Sequence, residues 1–162
     1  MEQSSSRCAS MSSSERAEQL VTQPGNAQDG PLIVLAEDDE ASRRGYGLIL
    51  RHFGFRVVDA DSGEDAIELM RVHRPDLVLM DIGLPVIDGW QASRIIKADS
   101  TLSSIPLVAF SGRIDGIADL RARSSFDGFI RKPVSPAELV RRVNAYLAFC
   151  RPGRDSGVGV RE

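Results

Sequence analysis

The chain has 162 residues, 42% of them hydrophobic and 27% charged, with a formal net charge of −3. That length allows one domain with a real core but not two of similar size, and the charge excludes a general attraction to nucleic acid or to anionic membranes. Cys8 and Cys150, near opposite ends, lack metal-ligand spacing and are too few for a disulfide framework. No apolar run reaches membrane-spanning length, and Met1 to Ser14 lacks the apolar stretch of a signal peptide, so a reduced cytoplasmic protein is expected.

Residues 1–30 are rich in Ser, Gln and Glu and are expected to form a disordered arm ahead of a folded domain over 31–150. Leu32 to Ala36 is a short continuous apolar run, the mark of a strand buried on both faces. A helix is predicted from Glu40 to Phe53, with Ala41, Gly45, Ile49 and Phe53 on its inner stripe and Gly54 as its stop. Gly45 on that stripe would allow close packing on the sheet. Phe55 to Ala60 is the second strand. Ser62 caps a second helix whose inner positions are Ala66, Leu69, Met70 and His73, and Pro75 ends it. Asp76 to Met80 is the third strand, with Asp81 at its carboxyl end. A loop from Ile82 to Ile87 leads to a third helix over Asp88 to Ala98, where Asp88 and Gln91 resemble a capping box. Ile105 to Phe110 is the fourth strand, with Pro106 tolerated at its start. A short fourth helix is expected from Asp115 to Arg123, and a fifth strand from Phe126 to Arg131. Ser135-Pro136-Ala137-Glu138 opens the last helix, which runs to Phe149. Residues 151–162 read as a flexible tail.

Five strands, each followed by a helix, make an α/β fold with a parallel sheet and right-handed crossovers. The flavodoxin-like, doubly wound order 2-1-3-4-5 would centre strands one, three and four, and functional groups gather outside the carboxyl ends of such strands. Those ends carry Glu37-Asp38-Asp39, Asp81 and Ser111-Gly112, and the fifth strand ends on Lys132-Pro133. Clustered carboxylates repel one another and lose charge unless a cation shares the site. A hard ion such as Mg²⁺ suits oxygen ligands, and with an ammonium opposite it the site suits phosphate chemistry, in which positioning and charge stabilisation do most of the work.

The stretch from Val78 to Gly89, VLMDIGLPVIDG, closely resembles the phosphoacceptor loop of response-regulator receiver domains. Glu37-Asp38 resembles that family's acidic pair, Ser111 its hydroxyl position and Lys132-Pro133 its Lys-Pro. The resemblance covers Leu32 to Phe149, with four motifs in order on the expected elements. It implies that Asp81 takes a phosphoryl group from a phosphohistidine on a sensor histidine kinase or a histidine phosphotransfer protein. Asp38, Asp81 and the Gly83 backbone carbonyl would hold Mg²⁺, with Glu37 acting indirectly. Lys132 would pair with the phosphoryl oxygens, Ser111 would swing toward them, and Phe129 would turn inward as the switch aromatic. The Lys132-Pro133 bond would be cis. The resemblance further implies a signalling switch rather than an enzyme. A downstream protein partner would dock on the face of the fourth helix, fifth strand and last helix, with output by protein contact or phosphate relay because no output domain follows Cys150. This chain departs from the common pattern in having Glu37 for Asp, Phe129 for Tyr, no side chain at Gly83, and a short segment between Ser111 and Phe129.

The remaining polar residues have plainer readings. Asp39 and Asp88 suit helix N-termini; Asp59, Asp61 and Asp65 suit solvent; His52 and His73 suit helix surfaces; Trp90 suits packing. Arg121, Arg123, Arg131, Arg141 and Arg142 read as a solvated face. Two other functions fit the sequence less well. A partner-binding receiver that is never phosphorylated is opposed by the intact acids, Ser111 and Lys132. A phosphatase working through an aspartyl phosphate usually needs a second Asp two residues after the nucleophile, where this chain has Gly83. No Walker-type loop supports nucleotide binding.

Overall fold

The computed structural model describes residues 29–112 and 125–149. The expected helix from Asp115 to Arg123, the arm up to residue 28, the tail, both cysteines, Arg121 and Arg123 lie outside the described residues.

The elements run β1 (Leu32–Ala36), α1 (Glu40–His52), β2 (Arg56–Ala60), α2 (Gly63–His73), β3 (Leu77–Met80), α3 (Gly89–Ala98), β4 (Leu107–Ser111), β5 (Gly128–Arg131) and α4 (Pro136–Phe149). The sheet has the order β2-β1-β3-β4-β5, with every pairing parallel. This is the expected fold. The apolar runs β1, β3 and β4 are buried at every position, whereas the edge strands β2 and β5 carry exposed residues. Alternation along the strands divides the core. Val34, Val78, Met80 and Ala109 face α2 and α3, while Ile33, Leu35, Leu79 and Phe110 face α1 and α4. Among the described residues, no helix is long and apolar enough to cross a membrane.

Caps begin the helices where the sequence puts them. Asp39, Ser62 and Asp88 each accept the backbone N–H three residues on, and Ser135 does the same for Glu138. Gly54, at φ 89°, follows α1 as its stop.

Two inner stripes differ from expectation. In α1 the buried residues are Gly47 and Leu50, with Tyr46, Ile49 and Phe53 half-buried, whereas Ala41 and Gly45 are exposed. Four-residue steps advance 40° beyond a full turn, so a stripe written at that spacing rotates off the sheet. The glycine in close contact is Gly47: a Cβ there would lie 2.8 Å from Arg51 Nη1 and 3.3 Å from Asp59 Oδ1, beside the Arg51–Asp59 ion pair. In α2, Gly63, Ala66, Ile67 and Met70 are buried, and His73 is exposed. The fourth strand begins two residues later than expected, after Pro106, and extends through Ser111, which pairs with Arg131.

Candidate functional site

The sheet brings five side chains together by ending its strands in register. The ladder between β1 and β3 continues one step past the end of β3, with Asp81 N–H donating to Ala36 C=O at 2.9 Å. Glu37 N–H donates to Ala60 C=O at 3.0 Å, which ties the opposite side of the acid loop to β2. Lys132 N–H donates to Ser111 C=O at 3.1 Å, so the lysine leaves β5 beside the end of β4. The Lys132–Pro133 bond is cis, as expected.

Lys132 Nζ bridges two acids, pairing with Glu37 Oε2 and lying 3.2 Å from Asp81 Oδ2. The Lys132 side chain is only 13% exposed and that of Glu37 only 4%, so this is a desolvated pair rather than a surface contact. Glu37, Asp38 and Asp81 each offer a carboxylate oxygen within 4.8 Å of the others. Among the described residues, the Asp38 carboxylate takes no hydrogen bond or ion pair and is exposed. The three therefore fit a hard divalent ion: Lys132 occupies one side of the cluster, and Asp38 leaves ligand oxygens free on the other. Asp81 Oδ1 accepts the Gly83 N–H at 3.1 Å, and the buried Ser111 hydroxyl also favours the Asp81 anion.

Burial pushes Glu37 above its ordinary carboxylate value, and Lys132 offsets this only in part. Burial also raises Asp81. There the Gly83 N–H, the Ser111 hydroxyl and the Lys132 charge outweigh it, and the acid titrates below its ordinary value. Asp81 is thus held as an anion at neutral pH, the form a nucleophile needs.

The loop after Asp81 depends on glycine and on strain. A Cβ at Gly89 would stand 2.5 Å from Asp81 C=O and 2.8 Å from Ile82 Cα. Val86 adopts φ 65°, an outlier for a β-branched residue, and is 89% exposed. Phe129 does not join the acids. Its ring packs on Phe126 with centroids 6.0 Å apart, and Phe126 meets Trp90 in a T-shaped contact at 5.6 Å. Trp90 is a packing residue, as expected. Asp59 is not simply solvated, since it pairs with Arg51 at 2.6 Å.

Three features were not anticipated from the sequence. Arg43 Nη1 donates to the main-chain carbonyls of Glu37 and Asp38, at 2.7 and 3.3 Å. A cation in a helix's first turn opposes the macrodipole, and that anomaly is the signal that could have marked it. Tyr46 and Phe110 turn their rings to the Lys132 ammonium. Tyr146 and Arg142 bracket the Phe129 main chain.

A family model described as response regulator receiver domain matches residues 33–144. The chain is 40% identical over 117 residues to the transcriptional regulatory protein AfsQ1 of Streptomyces coelicolor; the match covers 72% of this chain and 51% of AfsQ1, so the chain spans about half the length of that relative. It is 28% identical over 116 residues to the polar-differentiation response regulator DivK of Brucella anthropi, covering 71% of this chain and 94% of DivK. Among solved structures, it is similar to the receiver domain of sensor histidine kinase PA1611 from Pseudomonas aeruginosa, a structure with a magnesium ion coordinated in the active-site cleft. The TM-score is 0.68 at 29% identity, over 74% of this chain and 98% of that one. A response regulator from Chloroflexus aurantiacus is similar at TM-score 0.68 and 28% identity, over 74% of this chain and 99% of that one.

Proposed function

The chain belongs to the response-regulator receiver family, and from that premise we propose that it is a phosphorylation switch in which Asp81 accepts a phosphoryl group from a phosphohistidine. The observation that carries this reading is the Lys132 ammonium bridging Asp81 and Glu37, with the Asp38 carboxylate beside them. A strand-end cluster of three acids and one lysine has no packing rationale, and its charges suit an incoming phosphoryl group.

An Asp81 carboxylate oxygen attacks phosphorus; the bond from phosphorus to the donor imidazole breaks, and the imidazole leaves with the electron pair and takes up a proton. Asp38, Asp81 and the Gly83 carbonyl are the groups that would hold Mg²⁺, with Glu37 contributing indirectly. Bound Mg²⁺ supplies positive charge to the phosphoryl oxygens. Lys132 exchanges a carboxylate contact for a phosphoryl oxygen. The Ser111 hydroxyl, which favours the Asp81 anion, turns to the same group. That movement opens space beside β4 and lets Phe129 shift against Phe126, so phosphorylation biases the face built by β5 and α4. A sensor histidine kinase or phosphotransfer protein is the donor class, and a protein that reads the β5–α4 face is the output. Gly83 leaves the site open to attacking water, which favours a short phosphoryl lifetime.

The test is incubation with Mg²⁺ and acetyl phosphate, followed by intact mass. Uptake of one phosphate, lost in Asp81→Asn, is expected. No uptake by the wild type would overturn the reading in favour of a receiver that binds partners without phosphorylation. Sustained hydrolysis of unrelated phosphoesters would overturn it in favour of a phosphatase.

A further inference from the structure

A buried ammonium needs negative potential on every side from which water is excluded. Toward the mouth of the site, Lys132 has two carboxylates. Toward the interior its nearest cation partners are rings: Nζ lies 4.8 Å from the centroid of Phe110 and 5.8 Å from that of Tyr46. Both distances fall within the range where a ring face attracts a cation, and the attraction is stronger where water is kept out.

The two rings come from different elements. Phe110 is fully buried on β4, one residue before Ser111, and Tyr46 is half-buried on α1. They meet each other in a T-shaped contact with centroids 4.6 Å apart and planes at 72°, which fixes both orientations. Leucine at either position would fill similar space but would offer the ammonium no negative face.

We propose that Tyr46 and Phe110 form an aromatic cradle that sets the depth of the Lys132 ammonium, making them positioning residues for phosphoryl transfer to Asp81. The proposal rests on the function argued above. With the rings in place, Lys132 stays at one depth and needs only to exchange one anion for another when the phosphoryl group arrives. Without them, the ammonium is drawn outward to Glu37, Asp81 and water, and the transition state loses a preset charge.

The chain has two lysines, Lys97 and Lys132, so protein labelled at lysine ¹³Cε gives two methylene signals, assigned with Lys97→Arg. Lys97 pairs with Asp127 at 2.7 Å and serves as the internal reference. The Lys132 signal should be shifted upfield by the ring currents. It should keep that shift in Tyr46→Phe and lose much of it in Tyr46→Leu and in Phe110→Leu. With Mg²⁺ and acetyl phosphate, Tyr46→Phe should be phosphorylated within about twofold of the wild-type rate, and the two leucine variants about three- to tenfold more slowly. Tyr46→Leu, at a half-buried helix position, keeps the test available if Phe110→Leu folds poorly. Wild-type protein that takes up phosphate but shows an unshifted Lys132 signal would overturn the cradle alone, as would leucine variants that react at the wild-type rate. A shifted signal in protein that takes up no phosphate would instead sink the function on which the proposal rests.

Discussion

Arg43 holds Glu37 by its main chain: the guanidinium donates to the Glu37 carbonyl at 2.7 Å and reaches the Asp38 carbonyl at 3.3 Å. The side chain thus grips the main chain of the loop whose two carboxylates face Asp81, without touching those carboxylates. A charged donor on a carbonyl contributes about 1–2 kcal/mol when partly exposed. Arg43→Ala should therefore loosen the acid loop and weaken Mg²⁺ binding about fivefold, with little change in the Asp81 environment. Arg43→Lys, with one donor centre instead of a fork, should recover part of the affinity. Titration with Mg²⁺, followed by the fluorescence of Trp90, the chain's sole tryptophan, checks this. An unchanged dissociation constant in Arg43→Ala would remove Arg43 from the site.

The two coupled acids predict opposite pH slopes in metal-free protein. Glu37 is raised above its ordinary 4.5 by burial, so the folded state holds its proton more tightly than the unfolded state does. Its contribution is complete below pH 4.5 and is lost as pH rises through the raised value. Asp81 is lowered from 3.8, as the Gly83, Ser111 and Lys132 contacts outweigh its burial. Its contribution is present above pH 3.8 and is lost as pH falls through the depressed value. Glu37→Gln in EDTA should flatten the decline in stability as pH is raised above 4.5, without altering the acid side below 3.8. Urea midpoints across that range decide it; parallel curves for the two proteins would mean that Glu37 carries no such cost.

Most of the site was legible because its residues stand at strand ends, where an apolar run stops at an acid or a lysine. The continuous runs Leu32 to Ala36 and Leu77 to Met80 could hardly be anything but central strands, and Asp38 and Asp81 follow from where those runs end. Helical faces were less legible. In α1 the polar residues Arg43 and Arg44 separate the apolar ones, and a four-residue step fits both the true stripe and one rotated from it. The partners that hold the site through their main chain or rings, Arg43, Tyr46 and Phe110, leave no motif, since their role depends on which strand lies beside which helix.

That rotation has a measurable consequence in glycine. Gly45 is exposed in the interior of α1, and a Cβ there meets nothing within 4 Å. Gly45→Ala should stabilise the protein by about 1 kcal/mol through helix propensity. Gly89→Ala should destabilise it by about 2 kcal/mol or more, because the new Cβ runs into the Asp81 carbonyl and Ile82 Cα, which are main chain and cannot swing aside. Denaturant midpoints for the two alanine variants should move in opposite directions. If Gly45→Ala proved as damaging as Gly89→Ala, α1 would lie with Gly45 inward after all.

The edge of the sheet supplies the last prediction. Phe129 lies on β5, whose strand neighbour among the described residues is β4, and both of its main-chain polar groups are taken by α4. The N–H donates to the Tyr146 hydroxyl at 3.2 Å, and the carbonyl accepts from Arg142 at 2.6 Å. Gly128 makes this approach possible, since a Cβ there would lie 2.3 Å from the Tyr146 ring. Tyr146→Phe keeps the ring on Gly128 and removes only the acceptor. It should cost about 1 kcal/mol and speed amide exchange at Phe129 several-fold, while the amides within β1 and β3 exchange as before. Exchange measured residue by residue separates this from general destabilisation: an equal acceleration throughout the sheet would show that the hydroxyl supports the fold as a whole and does not hold the edge of β5 in particular.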